Sequence, residues 1–256
     1  MNPITPRSAE VMIHLNLEMA GIPFEAEVLF ERTADILKPY QSDRPPVFSA
    51  IVTREELELE REYASQTAAL ENRPADDYPA SALEYTAVHR LISEEMIERN
   101  VLLFHGSALA MDGHGYLFTA PSGTGKSTHS RCWRKAFGER VTMVNDDKPF
   151  LRFEPDGRVL VCGSSWNGKH GLGQNIMVPL NALCLLHRNK ENRVEPITAD
   201  AAFSSLFRQC YHSQQPEREI QVLSMLDQLG KNVPLYQLWC NISVEAAQTA
   251  CAAIHR

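Results

Sequence analysis

The segment Ala120-Pro121-Ser122-Gly123-Thr124-Gly125-Lys126-Ser127-Thr128 has residue types and a spacing suited to holding phosphate. Its glycines let the backbone curl so that successive N–H groups point inward. The lysine adds a cation at the β- and γ-phosphates, and the serine hydroxyl suits Mg²⁺. The expected nucleotide contacts are therefore Ser122, Gly123, Thr124, Gly125, Lys126, Ser127 and Thr128. Alanine stands at 120, where the pattern G-x-x-x-x-G-K-[ST] has glycine. That matters only if residue 120 must take a positive φ, which alanine tolerates less well.

Two carboxylates, Asp146 and Asp147, follow the apolar run Val141-Thr142-Met143-Val144, one helix and one short turn beyond Lys126. In a parallel β-loop-α-β unit the C-terminal ends of neighbouring strands lie on the same side of the sheet, so the pair is expected to face the phosphates. Phosphoryl transfer needs a metal ion on the phosphate oxygens and, for a hydroxyl nucleophile, a group that takes its proton. Two adjacent aspartates can divide those tasks, whereas the same pair far from a phosphate loop is more often a solvated turn. His105, in Phe104-His105-Gly106-Ser107, interrupts an apolar strand. A histidine there is commonly a satisfied core side chain, but its strand lies just before the one that feeds the loop, within reach of the same pocket.

The elements that must position these groups follow from apolar spacing and breakers. Val101 to Met111 is a nearly continuous apolar run, Asp112-Gly113-His114-Gly115 a tight turn, and Tyr116 to Ala120 a buried strand entering the loop. Lys126 to about Phe137 reads as a helix stopped by Gly138, and Val141 to Val144 as the next strand. Further on come a hairpin over Phe150 to Cys162 and one or two strands from Ile176 to Leu186 around Pro179. Helices are expected over Ala199 to Tyr211 and Pro216 to Leu229, then a strand from Leu235 to Cys240 and a closing helix from Val244 to Ile254 begun by Ser243. Ahead of all this, Val11 to Val52 reads as short strands and loops. Thr53 opens a charged helix expected to be largely solvated, Glu71 to Pro79 is a loop, and Leu83, Ala87, Val88, Leu91, Ile92 and Met96 recur at helical spacing up to about Asn100.

A chain of 256 residues with 44% hydrophobic content has room for one large domain, or for a phosphate-loop domain with a smaller companion. A formal charge of −7 argues against nucleic-acid or anionic-membrane partners, which select basic faces, and leaves a small molecule or a protein. The six cysteines form no CxxC pair, so zinc sites and disulfide frameworks lack their spacing and reduced, mostly buried thiols are expected. No run approaches the ~18 apolar residues of a membrane span and the N-terminus carries no leader pattern, which places the expected compartment in the cytoplasm.

His105-Gly106, Ser122-Gly123-Thr124-Gly125-Lys126-Ser127 and Asp146-Asp147, in that order, resemble the bacterial HPr kinase/phosphorylase family and its small relatives. That family shares a nucleotide-binding core with phosphoenolpyruvate carboxykinase, and the resemblance spans about residues 101 to 190. It implies an α/β fold with α+β character: a P-loop core of that type with mixed sheet and flanking helices over 96–256. A smaller N-terminal α+β region over 1–95 lies outside the resemblance and is expected to read a partner or substrate. The activity implied is a nucleotide- and Mg²⁺-dependent kinase acting on a serine-type hydroxyl of a protein, a peptide or a small molecule such as free serine. The donor would be ATP, or another donor such as ADP, and a homo-oligomer is compatible with the family. His105, Lys126, Asp146 and Asp147 would be catalytic and Ser127 and Asp146 would hold the metal. Asp146 looks like the metal-side carboxylate and Asp147 like the base.

Trp166-Asn167-Gly168-Lys169-His170-Gly171-Leu172-Gly173 resembles a glycine-rich segment bordering such sites, with His170-Gly171-Leu172-Gly173 in place of the usual Arg-Gly-x-Gly. Lys169 and Arg188 are further candidates for contacting acceptor or phosphate. Two other readings compete: a nucleotide-binding regulatory module without chemistry, which would need only the loop, and a carboxykinase-like enzyme, for which the chain is short.

Overall fold

A computed structural model describes residues 12–70, 72–74, 77–168 and 170–255. The chain divides into two compact units, one running to Glu18 and resuming over Ile22–Ile92, the other made of Met19–Gly21 and Ser93–Arg256. In the first, β1 (Ile13–Met19), β2 (Ile22–Val28) and β3 (Ser49–Ile51) form a three-stranded sheet in that order. A helix, α1 (Glu31–Leu37), sits where only short strands and loops are expected from the sequence. The residues that lead into it are held from far away: Glu84 of α3 (Ala80–Ile97) accepts from the N–H groups of Leu29 and of the N-cap Phe30, which a local reading cannot foresee. α2 (Arg54–Leu70) is less solvated than expected. Its Leu57 and Glu60 are buried, and Arg90 of α3 pairs with Glu56 and, at 2.6 Å, with Glu60.

The second unit carries β4 (Val101–Leu103), β5 (Ser107–Met111), β6 (His114–Thr119), α4 (Lys126–Phe137), β7 (Val141–Asn145), β8 (Phe150–Phe153) and β9 (Val159–Cys162). These are followed by β10 (Met177–Arg188), β11 (Arg193–Pro196), α5 (Ala199–Phe207), α6 (Pro216–Asn232), β12 (Leu235–Cys240) and α7 (Val244–Ile254). The strands form one mixed sheet in the order β4-β8-β9-β10-β6-β5-β7, with β12 also on β10 and β11 on β12. β10 is the spine. Its start runs antiparallel to β9, and the rest runs parallel to both β6 and β12.

Helices cover both faces of this sheet, which explains why Leu180 to Leu186 shows so little polar alternation. Leu183 and Leu185 pack with Leu206, Val222, Met225 and Leu229 on the α5–α6 side. Ala182, Cys184 and Leu186 pack with Trp133, Ala246 and Ala250 on the α4–α7 side. Pro179 does not split the strand. It pairs with Leu160 at the β9 end, and the register against β6 then shifts between Leu180 and Ala182, a bulge that absorbs a residue unable to donate.

Three expectations need correction. Val101 to Met111 is not one strand: the chain leaves β4, which pairs with β8, and crosses at Phe104–Gly106 to β5, which pairs with β6 and β7. His105 therefore lies in a crossover, not inside a strand. Nor are β6 and β7 adjacent, because β5 lies between them, antiparallel to each. They still point the same way, so their C-terminal ends share one end of the sheet. Finally, α5 ends at Phe207, short of Tyr211, and β11 had not been expected at all, since Arg193-Val194-Glu195-Pro196 has too little apolar pattern to read.

α4 is fixed to the sheet by Trp133, fully buried with ring centroids 5.3 Å from Tyr116 and 5.6 Å from Phe118. Trp133 Nε1 donates to His129 Nε2 at 3.0 Å, so the imidazole must be neutral with its proton on Nδ1, toward Cys240 Sγ. Burial pushes the His129 pKa down from 6.5 to about 4. The unfolded chain thus takes up a proton near pH 6.5 that the folded chain refuses until about pH 4. Stability is full above pH 6.5 and falls as pH drops toward 4, by roughly 3 kcal/mol in all from this residue. Urea unfolding between pH 7 and 4.5 is expected to show that loss, and His129→Gln to flatten it; a variant with the parent's pH slope would refute the assignment.

All six cysteines are free, with Cys132, Cys162, Cys184 and Cys240 buried. Among the described residues no helix is long and apolar enough to cross a membrane.

Candidate active site

β6 delivers the chain to the glycine-rich loop and α4 carries it away. Gly123 and Gly125 take φ of 76° and 122°, conformations that a side chain would strain. Ala120 is not among the positive-φ residues. It is buried against the α4–α7 side of the core, and its carbonyl accepts from Lys126 Nζ at 2.9 Å. Alanine at this position therefore costs the loop nothing. Thr124 closes the tip, its N–H and hydroxyl both donating to Pro121 O, the latter at 2.8 Å. Lys126 as a whole residue is 8% exposed, and it lines the cavity. Burial lowers its pKa and the Asp147 charge opposes that shift.

At the end of β7 the two aspartates are set by a residue that the sequence reading passed over. Asn145 is fully buried, and its Oδ1 accepts from the N–H groups of Asp147 (2.8 Å) and Lys148 (2.7 Å), an Asx turn that folds the chain sharply after the strand. Its Nδ2 donates to Ser164, tying the turn to the segment beyond β9. The carboxylates then part company. Asp146 is 5% exposed, and its carbonyl accepts from Ser127 Oγ at 3.5 Å. A Cβ on Gly168 would stand 2.9 Å from Asp146 Oδ2, so a side chain there would have to displace the carboxylate. Asp147 is more open and faces His105, with Oδ1 3.7 Å from Nε2.

His105 is held in its crossover by a segment distant in sequence. Its N–H donates to Gln209 O at 2.6 Å, and Tyr211 N–H donates to Leu103 O at 2.9 Å, so residues 209–211 run alongside 103–105. Gln209 Oε1 lies 2.8 Å from His105 Nδ1, and an amide oxygen can only accept, which puts the imidazole proton on Nδ1. Nε2 is left with its lone pair toward Asp147. Burial lowers the His105 pKa, with the Lys126 charge acting in the same direction and Asp147 against it. Lys148, its ammonium 3.6 Å from the Trp166 ring centroid, is likewise lowered by burial and supported by Asp147.

These groups meet in a cavity of about 640 Å³. Ser122, Gly123, Gly125, Lys126, Ser127 and Thr128 form its loop wall. Asp146, Asp147 and His105 stand across it, and Asn167, Gly168 and His170 border it. Thr124 turns to the other side of the loop. Arg188 also lies on that outer side, donating to Thr124 O at 2.9 Å and to Gly123 O, so it braces the loop. Lys169 lies outside the described residues.

Ser127 and Asp146 offer the hard oxygen donors that Mg²⁺ accepts, and two protein ligands suffice for an ion that takes the rest from phosphate and water. Gln209 and Asn145 escaped the sequence reading, whereas Gly168 lies in the glycine-rich segment expected to border the site. Asn before Asp-Asp at a strand end was a readable turn signal, whereas Gln209 carried none.

A family model matches residues 73–248, most of the chain, and with it every residue of this cavity. The chain belongs to the ScmC family. The family is described as SynChlorMet cassette protein ScmC, and the ScmC match begins before α3 and ends within α7. A comparison with curated proteins gives no match. Among solved structures, that of the HPr(Ser) kinase/phosphatase from Coxiella burnetii is similar at 15% identity and a TM-score of 0.34, over 60% of this chain and 95% of that one.

Proposed function

We propose that this ScmC protein is a Mg²⁺-dependent phosphotransferase that moves a phosphoryl group from a nucleotide, ATP or another donor such as ADP, to a serine-type hydroxyl on a protein, a peptide or free serine. The observation that carries the reading is that the His105–Asp147 couple opens onto the same cavity as the phosphate loop. A module that only bound nucleotide would need the loop and nothing across from it.

The parts divide as follows. Loop N–H groups and Lys126 hold the β- and γ-phosphates, and Lys126 neutralises charge that builds on the transferring group. Ser127 and the buried Asp146 would hold Mg²⁺, which when bound supplies further neutralisation of the phosphate oxygens. Asp147 and His105 Nε2 stand as two acceptors 3.7 Å apart, so a hydroxyl oxygen placed beside the pair can turn its one proton to either. Asp147 takes the hydroxyl proton as the oxygen attacks phosphorus and the bond to the leaving nucleotide breaks. Gln209 orients His105, while burial and the Lys126 charge favour its neutral form; a protonated imidazole would pair with Asp147 and block it.

Incubation with γ-labelled ATP, Mg²⁺ and a panel of serine, serine peptides and soluble host proteins is expected to label a hydroxyl acceptor in an acid-stable ester. Nucleotide binding or hydrolysis with no labelled acceptor across the panel would instead favour a regulatory module.

A further inference from the structure

The phosphate loop has a second face. A cavity of about 430 Å³ opens on its outer side, and Gly123, Gly125 and Thr128 form a wall common to it and to the phosphate cavity. Its floor is apolar and soft: Leu186 at the end of β10, Cys240 at the end of β12, and Cys132 with His129 from α4. At its lip stands Ile242, 78% exposed, a large apolar side chain in water beside an apolar hollow.

We propose that this hollow takes the nucleoside part of the bound nucleotide, with the base lying between Leu186 and Ile242. The inference rests on reading the loop as a nucleotide phosphate site. A nucleoside attached to phosphates on this loop must leave along one flank of α4. On the β7 flank the available cavity shares Ser127, Thr128 and Asp146 with the phosphate and metal side of the site, so that flank is taken up by the phosphate chemistry. On the β10–β12 flank the walls are apolar, and the volume falls within the range of about 300–1,000 Å³ typical of small-molecule sites.

The polar rim on that flank is already engaged. Asn241 Nδ2 donates to Lys190 O at 2.9 Å, its Oδ1 accepts from Ser243 Oγ at 2.6 Å, and Arg188 is spent on the loop carbonyls. Asn241 and Arg188 therefore shape the walls, and binding of the base comes chiefly from apolar contact.

Calorimetric titration of the full chain with Mg-ATP and with Mg-tripolyphosphate separates this site from the phosphate loop. The parent is expected to bind ATP more tightly than tripolyphosphate. Ile242→Ser, at an exposed position that leaves the core untouched, should weaken ATP roughly 10-fold and leave tripolyphosphate unchanged. Equal affinity of the parent for the two ligands, or an Ile242→Ser protein that keeps the parent's ATP affinity, would overturn the nucleoside site while leaving the phosphate loop standing. A parent that binds neither ligand would overturn the nucleotide reading and this site with it.

Discussion

Replacing Asp147 by asparagine is expected to slow phosphoryl transfer by about 10²–10⁴-fold, the range set by losing a positioned general base, with nucleotide affinity retained. The substitution is nearly isosteric and leaves the Asp147 N–H, which donates to Asn145 Oδ1, in place. What disappears is the ability to accept a proton opposite His105 Nε2. The loop groups that hold phosphate, Lys126 and Ser127 among them, lie on the opposite wall, so binding measured by calorimetry should survive. An Asp147→Asn protein that turned over at the parent rate would refute the division of labour. If Asp146→Asn gave the slow-but-binding phenotype in its place, the two aspartates would exchange roles.

Lys126→Ala should abolish nucleotide-dependent transfer, with a loss of at least about 10²–10³-fold from removing a charge aimed at the reacting phosphoryl group. Binding should suffer too, because lysine contacts phosphate in the ground state as well as during transfer. The same change should not cost stability. The residue is buried, its pKa is depressed by that burial, and its hydrogen bond is to a single carbonyl, Ala120 O. Removing it relieves desolvation, so the variant should melt at or above the parent temperature, as expected where a site is held at a stability cost. A variant that lost activity only because it melted well below the parent would count against a direct role. One that kept transfer would refute the site.

Most of the elements that carry the site could be read in advance. The helix from Lys126 to Phe137, the strand from Val141, the hairpin around Pro155-Asp156-Gly157 and the Ser243 cap are local events, each specified by a breaker or by apolar spacing within a few residues. What could not be read is what depends on partners distant in the chain. The entry to α1 is held by Glu84 of α3, and His105 leaves the strand because β4 pairs with β8 while β5 pairs elsewhere. Apolar composition alone does not separate two short strands bound for different neighbours from one long one. For the same reason β5 was not expected between β6 and β7. The grouping of Lys126, Asp146 and Asp147 was foreseeable because strand ends collect on one side of a sheet. The tautomer of His105 was not, since it is set by Gln209.

The hydrogen bond between His105 and Gln209 joins residues 104 positions apart. During synthesis the loop and the Asp146-Asp147 turn leave the ribosome well before residue 209 does. A nascent chain arrested between them would carry the residues for gripping phosphate but nothing to orient its imidazole. On the proposed reading, transfer waits until residues 209–211 have emerged and lain down beside Leu103.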